Sequence, residues 1–161
     1  MTDQAQSHVA LVSDEAREFV TFHIGEQLFG VEVSLIHDVF APQNLTPVPM
    51  APKEVAGVLN LRGRIVTAID ARARLGLEPR QDDGEGMAIG IEKDGESYGL
   101  IVDSVSEVLR PDHDQFEPNP SNLDPRWQAV ARGVYRLEKG LLIVVDVDQM
   151  LEFVETKAAA A

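Results

Sequence analysis

Side chains that commonly act in catalysis or bind metals are few in this chain and lie far apart. The sequence contains no cysteine, which excludes thiolate metal sites, cysteine nucleophiles and disulfide bonds. The four histidines lack the spacing of metal ligands: His8, His23, His37 and His113. Asp112, His113 and Asp114 are consecutive, but neighbours on an extended loop point in different directions and no further ligands are evident. A solvated acidic loop is therefore the favoured interpretation.

Short catalytic motifs are also missing. The sequence has no P-loop, no dinucleotide-binding glycine pattern, no nucleophile turn of the Gly-x-Ser-x-Gly type and no His-Glu-x-x-His zinc motif. Carboxylates number 27, so a pair in a cleft can arise from composition alone. A small ligand-binding or hydrolytic β-barrel protein therefore stays open as an alternative. We nevertheless expect no enzyme, no catalytic residue, no metal site and no cofactor.

The charge balance excludes two further classes of partner. Against 27 acidic residues the chain has 14 Lys and Arg, for a net charge of −13. Nucleic-acid backbones and anionic membrane surfaces are bound through clustered basic residues, so neither partner is expected. No apolar run approaches the roughly 18 to 20 residues of a membrane span, and the N-terminus lacks a signal-peptide pattern. We expect a cytoplasmic protein.

Two arginines stand out against this acidic background, in the run Asn60-Leu61-Arg62-Gly63-Arg64. Turns are usually polar, so an ordinary surface turn explains the run as well as a binding site does. A guanidinium held at a tight turn is, however, a fixed donor for a partner's carboxylate or carbonyl oxygen, and arginine is enriched at binding hot spots.

An internal duplication predicts the elements that hold this turn. Gly30 corresponds to Gly99 at an offset of 69 residues, within similar segments. A second similar segment follows at an offset of 76 residues, where Gly57 corresponds to Gly133 and Asp70 to Asp146. Each half alternates apolar and polar residues over five short runs, which predicts five strands. Because closure removes exposed sheet edges, two small barrels are expected.

Helix is predicted to be scarce. Asp70 is a candidate N-cap for a helix over 71–75, and Asp148 for one over 149–154. The longer connector of the second half, 110–132, carries several prolines around Trp127, and we consider it a candidate partner surface.

The sequence resembles the CheW family, adaptors that couple chemoreceptors to the histidine kinase CheA. The resemblance spans about residues 17–153 and rests on these segments: Gly57-Val58-Leu59-Asn60-Leu61-Arg62-Gly63-Arg64-Ile65-Val66, Ile69-Asp70, Arg74-Leu75-Gly76-Leu77, Phe29-Gly30-Val31-Glu32-Val33, Tyr98 to Val105 and Leu142 to Asp146. It implies a mainly β fold of two pseudo-repeated, five-stranded SH3-like barrels packed together. A CheA kinase or a CheV-type protein would carry further domains, so we expect the stand-alone adaptor.

The resemblance also implies a domain organisation and two partners. We expect one CheW-like domain with the following parts: a flexible segment 1–16, the domain at 17–156 with a first barrel at about 17–77, a linker at 78–86 and a second barrel at about 87–156, and a flexible tail 157–161. One surface would bind the regulatory module of CheA. The groove between the barrels would bind the helical cytoplasmic tip of a chemoreceptor, which recruits the adaptor to membrane-associated arrays.

Nine positions match those that the family uses at or near these contacts. The predicted contact residues for receptor or kinase are Ile36, Asp38, Val39, Arg62, Val105 and Val108, and the predicted turn or packing residues beside them are Gly57, Gly63 and Gly99. Asp38 stands where the family usually has Glu, so a shorter carboxylate alters the reach toward a partner. An adaptor of the same fold that serves a kinase pathway other than chemotaxis stays open as a second alternative.

Overall fold

The computed structural model describes residues 17–79, 86–118 and 123–152. The predicted flexible ends 1–16 and 157–161, and most of the predicted linker, lie outside these residues. Eleven strands are present: β1 (Phe19–Ile24), β2 (Gln27–Glu32), β3 (Ile36–Phe40), β4 (Val55–Leu61), β5 (Arg64–Asp70), β6 (Met87–Lys93), β7 (Glu96–Val102), β8 (Ser104–Leu109), β9 (Phe116–Glu117), β10 (Ala131–Leu137) and β11 (Gly140–Val145). Three one-turn helices accompany them: α1 (Ala71–Arg74), α2 (Pro125–Gln128) and α3 (Val147–Met150).

The strands form two sheets, which confirms the mainly β architecture. Sheet I has five strands in the order β3-β6-β7-β5-β4, and sheet II has six in the order β8-β1-β2-β11-β10-β9. The sixth strand of sheet II, β9, comes from the longer connector.

The two halves of the chain exchange their first hairpins. Hairpin β1–β2 belongs to the first half but pairs with β8 and β11 in sheet II, whereas β6–β7 belongs to the second half and pairs with β3 and β5 in sheet I. The expectation of one barrel per half therefore differs from the observed pairing, because each sheet takes strands from both halves. The exchange is reciprocal: Val66 pairs with Ser97 just as Leu142 pairs with Leu28.

The exchange gives the two sheets a shared apolar core. Phe22 and Phe29 of sheet II are stacked with ring centroids 5.7 Å apart, and they belong to one buried cluster with Ile89 and Leu100 of sheet I. Trp127 of the connector packs edge-on against Phe29, with centroids 5.8 Å apart. The indole of Trp127 is thus half-buried against the core, while many of the described residues of the connector are exposed.

The helix caps correct one prediction and match another. The Asp70 carboxylate accepts hydrogen bonds from the backbone N–H groups of Arg72 and Ala73 at the start of α1. At α3 the same role falls to Asp146, which accepts from the Gln149 N–H, so the expectation for Asp148 is wrong. The repeat itself, which aligns Asp146 with Asp70, carried the better signal.

No helix within 17–79, 86–118 or 123–152 is long and apolar enough to cross a membrane.

Candidate partner-binding site

The turn between β4 and β5 holds Arg62 in a fixed, outward position. Leu61 pairs with Arg64, which leaves a two-residue turn whose central φ values are 54° at Arg62 and 84° at Gly63. Two positive φ angles are typical of a type I′ turn, whose twist matches that of the flanking strands. They also explain why position 63 is a glycine, which adopts positive φ without steric cost. The Asn60 side-chain oxygen accepts the Gly63 N–H at 2.9 Å, which ties the turn to its own strand.

Asp38 and Arg62, both predicted site residues, are brought together by the fold. The Arg62 Nη1 atom lies 3.3 Å from Asp38 Oδ2, and the Arg62 side chain is 77% exposed. An exposed ion pair contributes at most about 1 kcal/mol to stability. The pair therefore matters more for orientation: Asp38 restricts the directions in which the guanidinium can point.

Asp38 is itself positioned by the neighbouring strand. It pairs with Gly90 of β6, and a side chain at Gly90 would overlap the Asp38 carboxylate. The glycine thus lets the carboxylate lie across β6 and face the β4–β5 turn. No sequence pattern signalled this role of Gly90, since the repeat places Thr21 at the corresponding position.

A second group of charges surrounds the pair. Arg64 donates to Ser97 Oγ at 2.7 Å and to Glu92 at 3.4 Å, and His37 Nε2 lies 3.0 Å from the same Glu92 carboxylate. Together with Asp38 and Arg62, the side chains of His37, Arg64 and Ser97 line a small cavity of about 70 Å³, which we call the arginine cavity. The surface offers both charged donors and acceptors to a partner.

The apolar site residues occupy equivalent edge positions in the two sheets. Ile36 pairs with Ile91 in sheet I, and Val105 pairs with Phe22 in sheet II; both are half-buried and pack against the shared core. Val39 is 38% exposed and its equivalent Val108 is 51% exposed, so these two valines are available to a partner. Their contact role stays a prediction, because none of the cavities described here is lined by the four residues.

The three glycines named from the sequence stand where a side chain does not fit or where φ is unusual. Gly57 has φ of 152°, lies at a bulge in β4, and a Cβ there would be 2.7 Å from the Thr46 carbonyl oxygen. A Cβ at Gly99 would be 3.1 Å from the Phe40 ring. Gly57 is thus a packing position in a strand, and Gly63 is the turn position.

A cavity between the two sheets was not predicted in detail. It has a volume of about 200 Å³, and its apolar wall is formed by Leu35, Ile91, Val145 and Val147. Leu35 belongs to a 3-10 turn, Val33–Leu35, that follows β2, and the side chains of Val33 and Leu35 are 41% and 40% exposed. The sequence predicted a groove between the barrels, but it did not indicate which residues line this inter-sheet cavity.

No group of three or more His, Asp or Glu side chains among the described residues could hold a metal ion. The side-chain hydrogen bond from Arg126 lowers the pKa of Asp124 and in turn raises that of Arg126. This exposed pair caps α2, where Asp124 also accepts the Arg126 backbone N–H.

Comparison with known proteins identifies similar chains over almost the full length. Residues 18–155 match the family described as CheW-like domain. The chain is 30% identical over 148 residues to "Chemotaxis protein CheW" of Rhizobium meliloti (strain 1021), covering 92% of this chain and 96% of that protein. It is also 30% identical over 148 residues to "Chemotaxis protein CheW" of Thermotoga maritima, covering 91% and 96%. The crystal structure of scaffolding protein TtCheW from Thermoanaerobacter tengcongensis superposes with a TM-score of 0.71, at 30% identity, covering 81% of this chain and 88% of that one.

Proposed function

The chain belongs to the family of CheW-like domains, and from this premise we propose that it couples the histidine kinase CheA to chemoreceptors by binding both. Proteins of this family are scaffolds and adaptors in chemotaxis, so the chain is an adaptor and not an enzyme. The proposal adds the two partners: the regulatory module of CheA and the cytoplasmic tip of a receptor.

The observation that carries the proposal is the geometry of Arg62. Its backbone is fixed by a type I′ turn, its turn is tied by Asn60, and its guanidinium is directed by Asp38. A long cationic side chain that is restrained and yet exposed loses little entropy on binding, which favours its use in recognition. Val39, the residue after Asp38 in β3, is exposed as well. We infer that this surface contacts at least one of the two partners.

A second surface is needed for bivalent binding, and we assign it to the inter-sheet cavity. Its apolar wall and the exposed side chains of Val33 and Leu35 suit an apolar helical element, which docks by placing one face into a groove. Charges at its edge, such as the Lys93 and Asp148 pair at 3.8 Å, provide polar contacts around the apolar centre. The receptor tip is the helical partner in this proposal.

Bivalence explains why an adaptor needs no catalytic group. When kinase and receptor bind to one rigid body, each is held at a high effective concentration relative to the other, so each contact can be weak on its own. The same contacts would recruit the protein from the cytoplasm to receptor arrays, without nucleic acid and without insertion into the membrane.

Calorimetric titration with the isolated regulatory module of a cognate CheA tests the first contact. Saturable one-to-one binding supports the proposal, and the receptor tip is titrated next. Binding of a CheA-like kinase without any binding of chemoreceptor tips would contradict the chemotaxis assignment and favour a scaffold in another pathway. A folded protein that binds neither partner would refute the proposal.

A further inference from the structure

Sheet II contains a cavity that is much larger than the arginine cavity of sheet I. Its volume is about 590 Å³, within the range of binding pockets. Four leucines contribute its apolar lining: Leu28, Leu109, Leu137 and Leu141. Its charged lining is mostly acidic, with Glu26, Glu107 and Glu138 against Lys139. We call it the glutamate cavity.

The repeat shows that the two cavities are equivalent places in the fold. Glu107 corresponds to Asp38 at the offset of 69, and Glu138 corresponds to Arg62 at the offset of 76. Asp38 lies on edge strand β3 and Glu107 on edge strand β8. Arg62 lies in the β4–β5 turn and Glu138 in the β10–β11 turn. In sheet I the turn supplies a guanidinium to the carboxylate. In sheet II it supplies a second carboxylate.

Neither glutamate is neutralised within the chain as far as the structure describes it. Glu107 and Glu138 make no side-chain ion pair or hydrogen bond in residues 17–79, 86–118 and 123–152. The backbone of Glu107 is held in place nonetheless, because its carbonyl oxygen accepts the buried Thr21 hydroxyl at 2.6 Å. Glu138 also lacks the left-handed φ of Arg62, so the two turns differ in backbone conformation. The backbone at Glu107 is therefore held in place, while the two carboxylates lack a cationic partner among the described residues.

We propose that the glutamate cavity binds an arginine of a partner protein, presented on an apolar segment. The guanidinium would lie near Glu107 and Glu138, as Arg62 lies near Asp38, and flanking apolar side chains would pack on the leucines. Arginine suits the site because its planar fork forms paired hydrogen bonds with carboxylates. A second copy of this chain is a poorer occupant, since two molecules of net charge −13 repel each other. The inference concerns a further surface and does not depend on the proposed function.

The probe is the peptide acetyl-Leu-Arg-Leu-amide, titrated into the full 15N-labelled chain and followed by NMR. We expect saturable shifts of amides at the cavity, such as Glu107, Leu137 and Lys139. The peptide with citrulline in place of arginine keeps the shape without the charge and should bind about tenfold more weakly, the size expected for a hydrogen bond to a charged group. Equal binding of both peptides, shifts confined to other surfaces, or no shifts at millimolar peptide would overturn the proposal.

A matched pair of variants locates the effect. Glu107→Gln/Glu138→Gln should weaken the arginine peptide about tenfold or more, whereas Glu78→Gln/Glu152→Gln makes the same charge change at exposed carboxylates that do not line the cavity and should not. Sedimentation of the wild type tests the other occupant. A dimer that dissociates in the Glu138→Arg variant would show that a second copy fills the cavity, against this inference. Calorimetry with the kinase module is a separate readout for the proposed function.

Discussion

Arg62 and Glu138 occupy equivalent positions in two hairpin turns, 76 residues apart, and carry opposite charges. The duplication therefore preserved the backbone pairing while the chemistry of the two turns diverged. In sheet I the turn closes a cavity with its own ion pair, and in sheet II it leaves an acidic cavity open. This divergence gives the two equivalent ends of one fold surfaces of opposite charge preference.

Reversal of charge at Arg62 should impair binding without impairing folding. Because the side chain is exposed and its ion pair is on the surface, Arg62→Glu should leave the unfolding midpoint nearly unchanged. It should weaken at least one partner by about 2 kcal/mol or more, the scale of a hot spot. Calorimetric titration with the kinase module and the receptor tip measures both effects. The control is Arg136→Glu, which removes a similar exposed pair with Glu117 and should bind as wild type. An Arg62→Glu protein that melts normally and binds both partners normally would exclude this residue from the interface.

Gly57→Ala should destabilise the protein more than a substitution at a turn glycine. An alanine at position 57 would have to adopt a positive φ, and its Cβ would overlap the Thr46 carbonyl oxygen. We expect a loss of about 2 kcal/mol or more in the free energy of unfolding, since strain and overlap add. Urea unfolding measures it. Gly25→Ala, with positive φ but open space around it, should cost only about 1 kcal/mol. Equal costs would show that the bulge at β4 relaxes to accept a side chain.

Most of the strands could be predicted from the sequence, because period-two alternation and paired glycines are local signals. Their assignment to sheets could not. The repeat shows which strands are equivalent, but pairing Leu28 with Leu142 rather than with its own half depends on long-range contacts that leave no local pattern. Likewise Arg62 was evident from its turn, whereas the role of Gly90 beneath Asp38 depends on the register between β3 and β6.

Two neighbouring aspartates should differ in their contribution to α3. Asp146 accepts the Gln149 N–H, so Asp146→Ala should cost about 1 kcal/mol, as expected for loss of an N-cap. Asp148 makes only a long ion pair with Lys93, at 3.8 Å, and its side chain is 80% exposed, so Asp148→Ala should be nearly neutral. Urea unfolding of both variants decides the point. A larger cost at Asp148 would favour the cap expected from the sequence over the one observed.

A semi-buried ion pair ties α1 to the turns at the ends of both sheets, and its loss should cost more than any surface pair. Arg72 contacts Asp103 through Nε at 2.8 Å and through Nη2 at 2.5 Å, and the Gly25 N–H donates to the same carboxylate at 2.7 Å. Asp103→Ala leaves these donors without their acceptor, so we expect a loss of about 2 to 3 kcal/mol.

The matched control is Glu92→Ala, which removes a more exposed carboxylate bound by Arg64 and His37. Exposed pairs contribute about 1 kcal/mol or less, so the control should lose much less stability than the Asp103 variant. The Asp103 site lies where the strands exchanged between the halves meet. Because each sheet contains strands of both halves, we expect the two sheets of the variant to unfold together, in a single transition that shifts to lower urea concentration. Separate transitions for the two sheets in Asp103→Ala would show instead that this contact, rather than the exchanged hairpins, makes the two sheets unfold together.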